Sequence, residues 1–345
     1  MRLVRLCLKM TGGNMSAKKT DVVALGELLV DFSHAGQSER DNWLFEANPG
    51  GAPCNVLAML SRLGRSTQFI GKVGDDLFGH MLASKVSEAG VGTKHLAMSG
   101  KRKTTLAFVK NASDGERDFS FYRKGAADLA LRKRDVSAKA IASSRVFHFG
   151  TLSMTADPAL TATQWAVRAA LKKGCIVSFD PNYRRELWQS EKQARKAILY
   201  GAAVCHVIKI ADDELEAVTG KSNIKDGVSY LKKRGENLKL VTVTLGKKGA
   251  AAFFFGAGGG DTAVEAFAPA FDVEAVDTTG AGDAFAACVL DEVLERGLDG
   301  FDVPRLTSML TFAQAASALV VGKRGALLSM PERSEVGSFL NERIR

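Results

Sequence analysis

The segment Asp277-Thr-Thr-Gly-Ala-Gly-Asp283 sets two carboxylates around three consecutive small residues. Gly280, Ala281 and Gly282 allow backbone N–H groups to approach an anion closely. Residues 271–276 before it are apolar and acidic and read as a strand, and residues 284–294 after it are apolar at helical spacing. The turn thus lies between a strand end and a helix start. Asp283 falls in the first helical turn, where the positive end of the dipole favours its ionised form. A carboxylate base beside an anion cradle is what phosphoryl transfer to a hydroxyl requires. A plain glycine turn with an aspartate helix cap fits the same residues, so the choice rests on what the chain brings to the same place.

Further polar or glycine-rich groups stand at expected strand ends. They are Asp31, the Gly50–Asn55 turn, Asp180 with Asn182 and Arg184, the run Asp212-Asp213-Glu214, and Thr244-Leu-Gly246. Asp31 can accept hydrogen bonds from sugar hydroxyls. Gly50 and Gly51 let backbone approach a polyol, and Asn55 offers both donor and acceptor. Thr244, Gly246, Lys247 and Gly249 resemble a phosphate-contacting loop with nearby cations. Glu214 can orient Mg²⁺ through water, because Mg²⁺ keeps much of its hydration shell; a solvated helix face is the plainer alternative. Arg123, at the end of an expected hairpin, can swing over a sugar or serve as an ordinary strand-end charge.

The elements that must position these groups alternate. Strands are expected at 22–30, 67–73, 145–150, 175–179, 204–210, 240–245 and 250–255, with two more leading to Asp277. Helices are expected from Asn55 to Gly64, from Asp75 to Ala89, and at 157–173, 190–201, 212–218, 225–234, 281–296 and 305–321. Residues 33–48 read as polar and loop-like. Residues 104–110 and 118–122 form two strands around a turn signal at 111–115, a hairpin with no intervening helix. Such an insertion can be a lid, an oligomer contact or a plain edge hairpin. The βα alternation implies an α/β fold, a mostly parallel sheet with helices on both faces, in which ligands bind beyond the carboxyl ends of the strands.

Composition narrows the class. With 46% hydrophobic and 25% charged residues, the chain has an ordinary globular make-up. Of the net charge of +9, Arg2, Arg5, Lys9, Lys18 and Lys19 supply five units. The basicity is thus partly a property of residues 1–20, an expected disordered or appended extension, and argues little for nucleic acid. The five cysteines show no metal or CxxC spacing and fit a reducing cytoplasm. No apolar run reaches membrane-helix length. There is no GxxxxGK[ST], and the glycine run at 257–260 precedes an expected strand, so the dinucleotide-turn context fails.

Over residues 21–340 the chain resembles the ribokinase-like, or PfkB, carbohydrate kinases. Pro49-Gly-Gly-Ala-Pro-Cys-Asn-Val56 is similar to the family's N-terminal signature and Asp277-Thr-Thr-Gly-Ala-Gly-Asp-Ala-Phe285 to its C-terminal one. Gly-Gly-Ala-Pro-Cys-Asn, Phe119-Ser-Phe-Tyr-Arg123 and Phe179-Asp-Pro-Asn-Tyr-Arg184 look most like fructokinases; ribokinases usually carry Lys where Ala52 stands. The resemblance implies ATP-dependent phosphorylation of fructose to fructose 6-phosphate, with 2-keto-3-deoxygluconate or another sugar as the alternative substrate and a catalytically silent regulator as a rival of another class. It implies Asp283 as base, Gly280, Ala281 and Gly282 as anion hole, and Asp31, Gly51 and Asn55 at the sugar. Residues 244–249 would contact nucleotide phosphates, and Gln314 would lie near adenine and ribose. Asp277, Thr279, Gly325 and Ser329 would hold a monovalent cation, usually K⁺. It also implies one kinase domain over 21–345, with lid strands inserted near 31–48 and 104–122 that could form a homodimer contact. Ala211 departs from the family's Asn-x-x-Glu motif while Glu214 is kept, which leaves the metal-water network in question.

Overall fold

The computed structural model describes residues 19–111, 117–256 and 263–343. Nine strands form one sheet. In chain order they are β1 (Thr20–Leu25), β4 (Thr67–Gly74), β5 (Gly92–Ser99), β8 (Ser144–Gly150), β9 (Ile176–Asp180), β10 (Val207–Ala211), β11 (Leu240–Thr244), β12 (Ala250–Phe254) and β13 (Val264–Ala268). Their spatial order is β13-β12-β11-β10-β9-β8-β1-β4-β5, and only β12 runs against the rest, antiparallel to both β11 and β13. A second sheet of four strands, β3-β2-β6-β7, is made from β2 (Leu29–Gln37), β3 (Trp43–Gly50), β6 (Leu106–Asn111) and β7 (Arg117–Tyr122).

Alternate residues of the buried strands feed two helical layers. Val22 and Ala24 of β1 join one hydrophobic cluster, Val23 and Leu25 the other. The first cluster contains α1 (Ala52–Arg62), α2 (Leu77–Glu88), α8 (Ala281–Arg296) and α9 (Val303–Val321), with Val336 of α10 (Arg333–Arg343). The second draws on α3 (Ala138–Ala142), α4 (Ala159–Lys172), α5 (Glu191–Val204), α6 (Asp212–Thr219) and α7 (Ile224–Lys232). Four buried cysteines divide between them, Cys54 and Cys288 in the first, Cys175 and Cys205 in the second. The chain enters at β1, builds outward through β4 and β5, then returns to β8 on the other flank. Strand order reverses at β1, and a reversal of this kind opens a crevice at the carboxyl ends.

Several expected elements differ. Residues 22–30 are two strands, not one. Gly26, Glu27 and Leu28 carry the chain from the large sheet to the small one: Gly26 N–H still bonds Ile70 O on β4, whereas Val30 N–H bonds Thr105 O beside β6. The run is apolar throughout because both halves are buried, so hydropathy does not mark the break. Residues 33–48, expected as loop, are mostly β2 and β3; they look polar because much of this small sheet is exposed. Residues 271–276 form no strand. Their chain is pinned instead to the end of α9, where Val276 and Asp277 N–H groups share Val321 O. Only β13 stands between residue 263 and Asp277, and β5, with its interleaved polar residues at the sheet edge, had no expected counterpart. The expected extension before residue 19, the turn at 112–115 and most of that at 256–260 lie outside the described residues. Among the described residues no helix is long and apolar enough to cross a membrane.

The junction between the sheets depends on glycine. Gly51, before α1, has φ 130°, and a Cβ there would lie 2.5 Å from the Glu27 carbonyl oxygen. Gly174 also has positive φ, 63°, but open space around it. Gly51→Ala should therefore cost roughly 1–3 kcal/mol of backbone strain plus the displaced carbonyl, and Gly174→Ala only about 1–2 kcal/mol. Urea unfolding of the two variants checks the order.

Candidate active site

The helix α8 begins at a glycine turn because Gly280 is left-handed, φ 84°, and packed tightly: a Cβ there would meet Ala326 Cβ at 2.7 Å. No side chain caps α8, so its first N–H groups have no polar side chain closing them off. Asp283 sits in this first turn. Its Oδ2 accepts a 2.8 Å hydrogen bond from Asn55 Nδ2 on α1. The helices α1 and α8 pack together through the first hydrophobic cluster, which is how residues 228 positions apart meet. Burial raises the Asp283 carboxyl to about 6, and the nearby Asp180 charge adds to this; Asn55, Lys209 and Arg184 pull the other way.

A cleft of about 380 Å³ lies over this turn, within the ~300–1,000 Å³ common for small-molecule sites. It brings together Asp31, Gly51, Asn55, Glu214, Thr279, Gly280, Gly282 and Asp283 from the sequence-derived set. Asp31 comes from the inner face of the small sheet, with Leu29 and Phe121 beside it on the same face. Gly50 is paired to Leu29 at the end of β3, and a Cβ there would collide with the Asp31 carboxylate. A glycine at position 50 therefore lets the carboxylate occupy its place.

Arg123 departs from its expected role. It is 5% exposed and does not line the cleft. Its guanidinium donates to Asp128 Oδ2 at 2.7 Å, Thr155 Oγ1 at 3.0 Å and Leu152 O at 2.8 Å. A buried guanidinium must have its donors met, and here they are met by the main body beneath the small sheet, not by open cleft. Thr105 Oγ1 closes the network on Asp128 Oδ1.

Two charged residues of the cleft were not picked out from sequence. Glu27 is buried, and its Oε1 accepts the Ala52 N–H at 3.1 Å, capping α1 where Gly51 offers no side chain. Burial pushes its carboxyl up to about 7. Lys209, between Ile208 and Ile210 on β10, places Nζ 3.2 Å from Asp180 Oδ2 and 3.2 Å from where a Gly282 Cβ would stand. A charged residue inside an apolar parallel strand is a signal that could have found it. Glu27 shows only as an acid between two apolar runs.

Glu214 also lines the cleft. Its Oε1 accepts Tyr183 N–H at 2.7 Å and its Oε2 accepts Ala211 N–H at 2.9 Å. Ala211 needs no polar side chain for this, because its backbone makes the contact. Thr244 is the register partner of Ala211 on the next strand, and Gly246, Lys247 and Gly249 form the tight turn beyond it; these four do not line the cleft. Gln314 is buried on α9, one turn before Ser317, whose hydroxyl donates to Ala281 O at 2.9 Å. The remaining four residues form one loop pair. Asp277 accepts Thr279 N–H at 2.9 Å and Gly325 N–H at 3.1 Å, and Ser329 Oγ donates to Arg324 O at 2.6 Å.

A crevice at the strand-order reversal, an uncapped helix N-terminus and a carboxylate in its first turn suit the binding of an anion beside a base. Residues 19–333 match the model of the pfkB family of carbohydrate kinases, and the chain belongs to that family. It is 38% identical to fructokinase-1 of Zea mays over 327 residues, 93% of this chain and 98% of that one. The fructokinase of Xylella fastidiosa with bound ATP superposes with TM-score 0.83 at 31% identity, covering 94% and 99% of the two chains. The fructokinase of Vibrio cholerae O395 bearing a double mutation, with fructose, ADP and potassium bound, gives TM-score 0.80 at 26% identity and covers 94% and 99%.

The titration of Asp283 has a stability consequence with a definite sign. Its folded value, about 6, lies above the ordinary 3.8, so the fold is favoured at low pH and loses that increment as pH rises through this interval. Asp283→Asn, which carries no charge, should gain in Tm relative to the native chain between pH 4 and pH 7, with the difference constant above that. Paired melting curves across the range measure it.

Proposed function

We propose that this chain phosphorylates fructose, transferring the γ-phosphoryl group of MgATP to give fructose 6-phosphate and ADP. The observation that carries this reading is the Asn55–Asp283 hydrogen bond, which joins the sugar-side turn to the anion-side turn in one cleft. The identity to named fructokinases supports the choice of sugar. Asp31, Gly50, Gly51 and Asn55 orient the hydroxyls. Asp283 takes the proton of the attacking hydroxyl, whose oxygen bonds to the γ-phosphorus while the bond to the β,γ-bridging oxygen breaks and its electron pair leaves on ADP. The N–H groups of Gly280, Ala281 and Gly282 stabilise charge on the group in transfer. Thr244, Gly246, Lys247 and Gly249 take the other phosphates, and Gln314 stands towards the base and ribose.

Mg²⁺ fits the donor set as an ion that arrives with the nucleotide. No group of three His, Cys, Asp or Glu side chains able to hold a metal occurs among the described residues, and Mg²⁺ rarely uses an all-protein cage. Glu214 would hold it through water, each carboxylate oxygen keeping a lone pair beyond its N–H contact; when bound, the ion would offset the phosphate charge. A monovalent cation fits Asp277, Thr279, Gly325 and Ser329, because the Asp277 carboxylate already gathers the two loops.

Sugar-dependent ADP release across a panel of hexoses and keto-deoxy acids, run with and without K⁺, tests the function. Fructose should give the highest kcat/KM, with activity falling below pH about 6 as Asp283 is protonated, and Asp283→Asn should lose roughly 10²–10⁴-fold in kcat. A keto-deoxy acid preferred over fructose would replace the substrate and keep the mechanism.

The lid also supports a homodimer. The outer face of the small sheet carries Phe32, Phe45 and Phe108 in mutual ring contact, with Trp43 63% and Tyr122 65% exposed. A contiguous aromatic face of this kind suits a second copy. Sedimentation of the native chain should give a dimer, and Trp43→Glu with Phe45→Glu a monomer.

A further inference from the structure

Lys209 has more hydrogen-bonding capacity than the protein uses. An ammonium carries three donors, yet among the described residues the Lys209 ammonium donates only to Asp180 Oδ1 at 3.4 Å, with Oδ2 at 3.2 Å as an ion pair. Both distances exceed the roughly 2.7–2.9 Å of a well-made charge-assisted bond. The side chain is 11% exposed and lines the cleft. It serves the neighbouring acids only in part, as the loose ion-pair partner of the buried Asp180 Oδ2. Glu214 has both oxygens on backbone N–H groups, and Asp180 Oδ1 takes the Asn182 N–H at 3.1 Å. Asp180, Glu214 and Asp283 together keep the ammonium charged against its burial, which works the other way.

Its position is what gives this spare capacity a use. Nζ lies 3.2 Å and Cε 3.6 Å from where a side chain at Gly282 would begin, so the ammonium overlies the glycine turn that precedes Asp283. Among the described residues the cleft is lined by Glu27, Asp31, Asp213, Glu214 and Asp283, and by only two cations, Arg184 and Lys209. Arg184 Nη1 is already donated to Tyr183 O at 3.0 Å. An anion reaching the α8 turn therefore meets Lys209 as the cation standing over that turn.

We propose that Lys209 is a further catalytic residue of the phosphoryl transfer, its ammonium moving from the loose Asp180 contact onto an oxygen of the phosphoryl group in transfer. This rests on the kinase reading above. Lys209 exchanges no proton in the step: the hydroxyl proton goes to Asp283, the new O–P bond forms at the sugar oxygen, and the electron pair of the broken bond leaves on ADP. The ammonium supplies fixed positive charge beside the Gly282 N–H, where negative charge is greatest.

Calorimetric titration of MgADP and of the Mg complex of a non-hydrolysable ATP analogue tests this, alongside kcat and the sugar KM. Lys209→Met should weaken the analogue at least tenfold relative to MgADP, and lower kcat by roughly 10²–10³-fold, with the sugar KM within about threefold. The double variant Lys209→Met with Asp180→Asn removes both members of the buried ion pair together and should show the same loss of discrimination if the single variant is unstable. An unchanged analogue-to-ADP ratio in either folded variant overturns the proposal, and so does failure of both to fold, which would make Lys209 a counter-ion of the fold. If no sugar elicits ADP release but the nucleotide ratio shifts, the substrate reading falls and the Lys209 contact stands.

Discussion

The site depends on one hydrogen bond between two helices that begin at opposite ends of the chain. Asn55 and Asp283 each stand at the start of a helix, and their 2.8 Å contact can form only if both helices are aimed at the same point. That aim comes from the first hydrophobic cluster, in which α1 and α8 pack side by side. The contact also fixes the chemistry. A carboxylate this enclosed, with Asp180 near it, would favour the proton strongly; Asn55, Lys209 and Arg184 bring it back to a value at which it is ionised at neutral pH yet still basic. Basicity and position are thus set by the same neighbours.

The two sheets meet where this arrangement is least tolerant of change. Glu27 leaves the large sheet, caps α1 through Ala52, and lies under Gly51; four residues on, Asp31 projects from the small sheet into the place that Gly50 leaves free. On the other side Arg123, Asp128, Thr105, Thr155 and Leu152 tie β7 to the main body. The small sheet is therefore held firmly at its base while its outer half stays exposed.

Much of this was legible in the sequence, for physical reasons that differ by element. The strands of the large sheet are apolar on both faces and the helices keep a 3.6-residue pattern, so the α/β alternation is plain. The two glycine-rich turns carry their chemistry in residue type, and the cleft brings Asp31, Gly51, Asn55, Glu214, Thr279, Gly280, Gly282 and Asp283 together. What was not legible depends on long-range contacts. Residues 22–30 are equally apolar in both sheets, so nothing local marks their division. Arg123 looks like any strand-end charge until Asp128, Thr155 and Leu152 are seen around it. Residues 271–276 alternate like a strand, but the segment ends pinned through the Val276 N–H to the end of α9.

The four buried cysteines have a practical consequence. Two lie in each helical layer, and burial pushes the thiols of Cys54, Cys205 and Cys288 well above their ordinary range, so these stay protonated and inert while the layers are closed. Reaction with a thiol reagent then requires opening, and the position labelled identifies which layer opened. The chain carries native probes on both sides of its sheet, by which the loosening of the catalytic layer can be timed separately from that of the layer behind it.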